Sequence, residues 1–158
     1  MNGTTPMTVV NAAPSLKTVY EQDYLMWLEM TSEQLRMGKL ENLDLENLLE
    51  EIEAMVRKEK VALESNLEIL LMHLLKYQYQ VNKRTSSWRY TIDEHRSRIV
   101  KALKVSPSLK PYFKQVFDDC YQEGQRKAAI ETELNISTFP MRSPFSQEET
   151  LNPDFLPE

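Results

Sequence analysis

Between Gly38 and Pro107 the chain carries neither glycine nor proline. Each costs a helix interior roughly 1 kcal/mol (glycine) or 3 kcal/mol (proline). A long run without them, with apolar residues three and four apart, predicts helix, loop, helix and leaves little room for strands.

Helix signals divide the run. Thr18 and Glu21 have capping-box spacing. Tyr20, Tyr24, Trp27, Leu28, Met30 and Leu35 then form a stripe, and Gly38 suits a helix end. Asp44 is a good N-cap. From Leu45 through Leu49, Ile52, Met55, Leu63, Leu67 and Leu71 to Leu75 the apolar steps predict one long helix over about 44–80. At 1.5 Å per residue such a rod would reach about 55 Å. Its projecting half would need a partner, and a second copy of the chain is the simplest one. Ser86 or Ser87 is placed to cap a third helix with Trp88, Ile92, His95, Ile99 and Leu103 on its inner face. Ser106-Pro107 ends it. A fourth helix runs to about Leu134, with Phe113, Val116, Phe117, Cys120, Tyr121 and Ile130 as its stripe and Gly124 as a close-packing point. After Asn135, four prolines alternate with Phe139, Phe145, Leu151 and Phe155. That density of aromatics is foreign to disorder, and Ser146 with Glu149 can start one helical turn. The expected architecture is an all-α helical bundle of about four main helices. One domain spans 17–158, with an extended C-terminal strap over 135–158 after a disordered leader over 1–16.

Charge is arranged in blocks. Lys17–Leu75 holds 6 basic and 13 acidic residues, Lys76–Lys114 holds 10 and 2, and Gln115–Glu158 holds 3 and 9. Like-signed blocks in a compact fold need opposite-signed neighbours. The basic segment 76–114 is therefore expected to serve first as internal glue, with Asn47, Glu50 and Glu51 meeting Arg84, Arg89 or Arg96. The single cysteine, Cys120, excludes an intramolecular disulfide and suits a cytoplasmic setting. The longest apolar run, Ile69–Met72, is far short of a membrane span.

Three chemistries are open to such a chain. Glu50, Glu53 and His73 are weak candidates for a metal-binding helical-bundle enzyme. The Glu-x-x-His pairs of di-iron bundles are missing, because Leu70 precedes His73 by three and Ile92 precedes His95 by three. Nucleic acid, RNA or DNA, is a second option, using the basic segment with Trp88 and Tyr90 for stacking. Nucleophilic catalysis by Ser86, Ser87 or Cys120 lacks any elbow motif. The favoured expectation is a non-catalytic protein-interaction or scaffolding module without a cofactor, and more plainly a non-enzyme than an enzyme. It would associate with itself as a homodimer or with an unknown protein, and the contact zone is expected around Arg84, Trp88, Arg89 and Arg96.

Several strings carry a resemblance. They are Tyr20-Glu21-Gln22-Asp23-Tyr24 with Trp27, and Leu43-Asp44-Leu45-Glu46-Asn47-Leu48-Leu49-Glu50-Glu51-Ile52-Glu53. Leu70-Leu71-Met72-His73-Leu74-Leu75-Lys76 follows with Gln78 and Gln80, then Arg84, Ser87-Trp88-Arg89, Thr91-Ile92 and Arg96. The last are Ser106-Pro107-Ser108-Leu109, Glu131-Thr132 and Phe139-Pro140. Together they resemble domain of unknown function 29, a family abundant in cyanobacteria. The resemblance implies a small all-helical cytoplasmic protein and supplies no catalytic residue or cofactor. The chain departs from that pattern at Val56, where glycine is usual, and at His95, where glutamine is usual. The first change favours an unbroken long helix. The second argues against His95 as an essential ligand.

Overall fold

The computed structural model describes residues 14–158. Of the leader expected over 1–16, residues 1–13 lie outside the described residues. Six α-helices and no strand occur among the described residues: α1 Leu16–Gln22, α2 Tyr24–Arg36, α3 Leu45–Tyr79, α4 Ser86–Val105, α5 Leu109–Thr132 and α6 Gln147–Leu151. Short 3-10 turns lie at Leu40–Asn42, Val81–Lys83 and Ile136–Thr138. The fold is all-α, as the spacing predicts. The long helix is continuous from Leu45 to Tyr79. The chain divides into two compact units between Met55 and Val56, within α3.

In the first unit, the single helix expected from Thr18 to Gly38 is two. Asp23 leaves helical geometry at φ −150° and ψ 91°, and its carboxylate accepts the Met26 amide at 2.9 Å. Its own amide still donates back to the Val19 carbonyl at 2.7 Å. One aspartate thus closes α1 and caps α2, the local competition with the backbone that short polar side chains offer. At the start of α1, Ser15 Oγ accepts from the Thr18 amide at 3.3 Å, in place of the Thr18–Glu21 box. Gly38 takes φ 68°. Its amide reaches the Leu35 carbonyl and the Lys39 amide the Gln34 carbonyl, at 3.1 and 3.0 Å. This is a Schellman end, which a Cβ at that φ would strain. Asp44 caps α3 by accepting from the Asn47 amide at 3.3 Å.

The apolar interior of this unit is small. Val19 and Trp27 are buried, with Thr31 beside them in sequence register. The Trp27 ring meets Tyr20 edge-on at 4.9 Å and stacks with Tyr24 at 5.9 Å. Both tyrosine hydroxyls donate to the Glu51 carboxylate at 2.7 Å. Those bonds hold Glu51 below the usual carboxylate range and raise the Tyr20 hydroxyl to about 12.

The second unit has a deep core. On α3, Leu63, Leu67, Leu70, Leu71, Leu74 and Leu75 are buried. Ile92, Ile99 and Leu103 join them from α4, and Phe113, Phe117, Cys120, Tyr121 and Ala128 from α5. Ile130, placed on that stripe by spacing, is instead exposed. Gly124 lets α5 approach α3 closely. A Cβ there would lie 3.0 Å from the Glu68 carbonyl oxygen and 3.2 Å from the Met72 amide nitrogen. Thr85, not Ser86 or Ser87, caps α4 by accepting from the Trp88 amide at 3.2 Å. The strap after Asn135 buries Phe139 and Phe145 in the same core. Tyr121 Oη and Gln125 Nε2 donate to the Pro140 carbonyl at 2.6 and 2.9 Å. The Ser146–Glu149 capping box is formed reciprocally at 3.0 and 2.8 Å and starts α6.

Candidate functional site

The basic segment was expected to meet carboxylates from the acidic part of α3. Its two most enclosed arginines instead meet carbonyls of the strap. Arg96 is 3% exposed. Its Nε donates to the Thr150 carbonyl at 2.9 Å, Nη2 to Phe155 at 3.0 Å and Nη1 to Pro153 at 3.4 Å. Burial lowers its pKa, and Asp93 opposes that effect. Arg84 donates from Nε to the Tyr77 carbonyl at 2.7 Å and from Nη2 to Pro157 at 3.4 Å, with its guanidinium 4.2 Å from the Tyr77 ring centroid.

The chemical reason lies in the strap. Pro153 and Pro157 bar a regular helix there, so neighbouring carbonyls have no ladder of amides to accept from. A guanidinium carries several donors in a fixed fork and satisfies them together. Trp88 is half-buried, and Lys76 Nζ sits 4.6 Å from its ring centroid. Lys76 also pairs with Glu131. Lys127 pairs with Glu68 at 2.5 Å, linking α5 to α3. Neutralisation between helices therefore occurs, but through these lysines.

Arg89 is exposed at the rim of a cavity of about 200 Å³ that Arg96, Ile92 and Pro153 also line. The structure thus gathers Arg89 and Arg96 at one place, while Arg84 and Trp88 serve the packing nearby. Glu50 and Glu53 are exposed on α3. His73 is half-buried, and its Nδ1 lies 3.0 Å from the Ile69 carbonyl oxygen. Among the described residues, no group of three or more His, Cys, Asp or Glu side chains is placed to hold a metal ion. Burial lifts the Cys120 thiol to about 12, far from the thiolate range a nucleophile needs. No described helix is long and apolar enough to cross a membrane.

The first unit carries open apolar side chains on α2 as well as on the part of α3 that was expected to need a partner. Leu25, Leu28, Leu35, Met37 and Leu40 are exposed, and so are Leu45, Leu49, Ile52 and Met55 on the opening turns of α3. Spacing places Leu45, Leu49, Ile52 and Met55 on α3 as observed, whereas it runs α1 and α2 together as one helix. The signal that these side chains lie open was the small number of apolar positions available to cover them before residue 56.

No curated protein matches the chain, and no solved structure matches it. A family model does, over residues 19–156, which takes in both units from the Val19 core position to the strap residues that Arg96 holds. The chain belongs to the family described as Domain of unknown function DUF29.

Proposed function

We propose that this protein is a non-catalytic protein-interaction module that works in the cytoplasm. One observation carries the reading: residues 24–56 present large apolar side chains to solvent, Leu25, Leu45 and Met55 each more than three-fifths exposed. Large apolar side chains left open at this density mark a place where another molecule sits. The lone buried thiol fits a reducing compartment.

A photoreactive residue in place of Leu49, with a second at exposed Val105 as control, tests the reading in cells that make the protein. Discrete protein adducts from position 49 and not from 105 are the expected result. Adducts to nucleic acid alone would overturn it.

A second reading has its own observation. Lys101, Lys104, Lys110 and Lys114 make no ion pair among the described residues. They line cavities of about 400 and 460 Å³ on the two sides of Leu151. Such lysines suit phosphates. An electrophoretic shift with single-stranded RNA that weakens steeply with salt would favour RNA binding.

A further inference from the structure

The apolar surface of the first unit is bordered by acid. Leu45, Leu49, Ile52 and Met55 are separated by steps of four, three and three, so they share one face of α3. All four are exposed. Glu46, Glu50 and Glu53 follow the same steps one residue further along and flank them. On α2, Leu25, Leu28 and Leu35 lie three and seven residues apart and are exposed too, with Glu29 and Glu33 on the same helix. Glu29, Glu33 and Glu50 make no ion pair among the described residues.

Between Lys17 and Met55 there are 3 basic and 10 acidic residues, a net charge of −7. Residues 56–158 hold 16 basic and 14 acidic, a net charge of +2. The net negative charge is therefore concentrated in the unit that holds every exposed leucine among the described residues. Met26, Met37 and Met55 are among the exposed residues. Their unbranched, polarizable side chains adapt to a ligand of varied shape.

We infer that this face is a docking site for a basic amphipathic helix of a partner protein. The inference rests on the interaction-module reading above and names the chemistry of its partner. Such a helix would lay leucine-like side chains at helical spacing along the apolar strip. Its lysines or arginines would stand opposite Glu50 on α3 and Glu29 and Glu33 on α2, while Glu46 already pairs with Lys17 at 3.0 Å. A second copy docked face to face about a two-fold axis would set the acidic border against itself. That arrangement is the less favourable occupant on charge alone.

The test uses the full chain and three labelled peptides of about twenty residues, long enough for several helical turns. One is a leucine–lysine peptide with leucines at helical spacing, the second the same composition scrambled, and the third the leucine–glutamate counterpart. Binding is read by fluorescence anisotropy and the mass of the protein by sedimentation. The expected result is micromolar binding of the first peptide, about tenfold or more tighter than either control. The double variant Leu49→Ser with Ile52→Ser should weaken it about tenfold with an unchanged melting curve. Equal binding of the scrambled peptide, preference for the glutamate peptide, or full binding by the double variant would each overturn the inference. So would a dimer that the double variant abolishes, because the occupant would then be a second copy. If no peptide binds while protein adducts from position 49 persist, the basic-helix inference alone falls. If the adducts are absent as well, both readings fall.

Discussion

Leu49 and Leu70 stand on the same helix and meet opposite surroundings: Leu70 has no exposed surface, whereas Leu49 keeps 57% of its own. The part of α3 from Leu63 onward packs in one core with residues of α4, α5 and the strap residues Phe139 and Phe145. The part before it belongs to a unit in which few apolar side chains are enclosed. Helical spacing is the same in both. Periodicity reports that a residue lies on the apolar side of a helix, and the amount of chain available to cover that side decides its burial.

The largest expected effect breaks this contrast if it is wrong. Leu70→Ala should lose about 3–4 kcal/mol in urea unfolding, from lost transfer energy plus a cavity. Leu49→Ala should change stability by less than about 0.5 kcal/mol. Equal losses would show that the first unit is packed as tightly as the second.

Arg96→Ala comes next. It strips charged donors from the Thr150, Pro153 and Phe155 carbonyls. A loss of about 2–3 kcal/mol is expected, which corresponds to a fall in Tm of roughly 4–12 °C. Arg96→Lys should recover only part of it, since one ammonium lacks the planar fork. A melting curve left unchanged by Arg96→Ala would remove the strap's main anchor from the account.

Gly124→Ala sharpens the comparison within the core. Alanine favours helix over glycine by about 1 kcal/mol, but its Cβ would press on the Glu68 and Met72 backbone. Overpacking of about 1–3 kcal/mol sets the sign, and a net loss of about 1 kcal/mol is expected in the same urea assay. A gain in stability would mean that α3 and α5 separate without resistance.

The smallest effect is a pH dependence confined to the second unit. Burial lowers the pKa of His73 below 6.5, with Lys76 adding to the shift and the Ile69 carbonyl opposing it. Burial and Arg98 lower that of His95. The fold therefore favours neutral imidazoles, and protons favour the unfolded chain. Their stabilising contribution is present above about pH 6.5 and is lost as pH falls below it. Replacing both with glutamine should flatten the stability profile between pH 7 and 5, roughly the histidine range. An unchanged slope would assign the acid sensitivity to carboxylates.

Some local signals were legible, while two caps were misplaced, Ser15 standing for the Thr18–Glu21 box and Thr85 for Ser86 or Ser87. Asp44, Gly38, the Ser146–Glu149 box and the close approach at Gly124 all follow from side-chain type and local spacing. Asp23 was equally local but hidden, because the stripe Tyr20, Tyr24, Trp27 continues across it without a change of step. The partners of Arg84 and Arg96 were not legible for a different reason. They are backbone carbonyls, which every residue carries, so no side-chain pattern marks them. Charge blocks point to carboxylates, not to the carbonyls that the proline-bearing strap and the last turn of α3 leave unused. The exposed face was half legible. Its residues were plain, and their lack of cover depended on a count of neighbours that no stripe displays.

The grip of Arg96 on residues 150–155 also sets an order of events on the ribosome. Its acceptors lie 54 to 59 positions further along the polypeptide. At about 5–20 residues per second, roughly 3–12 s pass between synthesis of the guanidinium and synthesis of its acceptors. A nascent product cut short upstream of Thr150 never receives them. Its Arg96 would be left to water and Phe145 without its Phe155 neighbour, so residues 150–155 close the second unit only after everything upstream of them has been made.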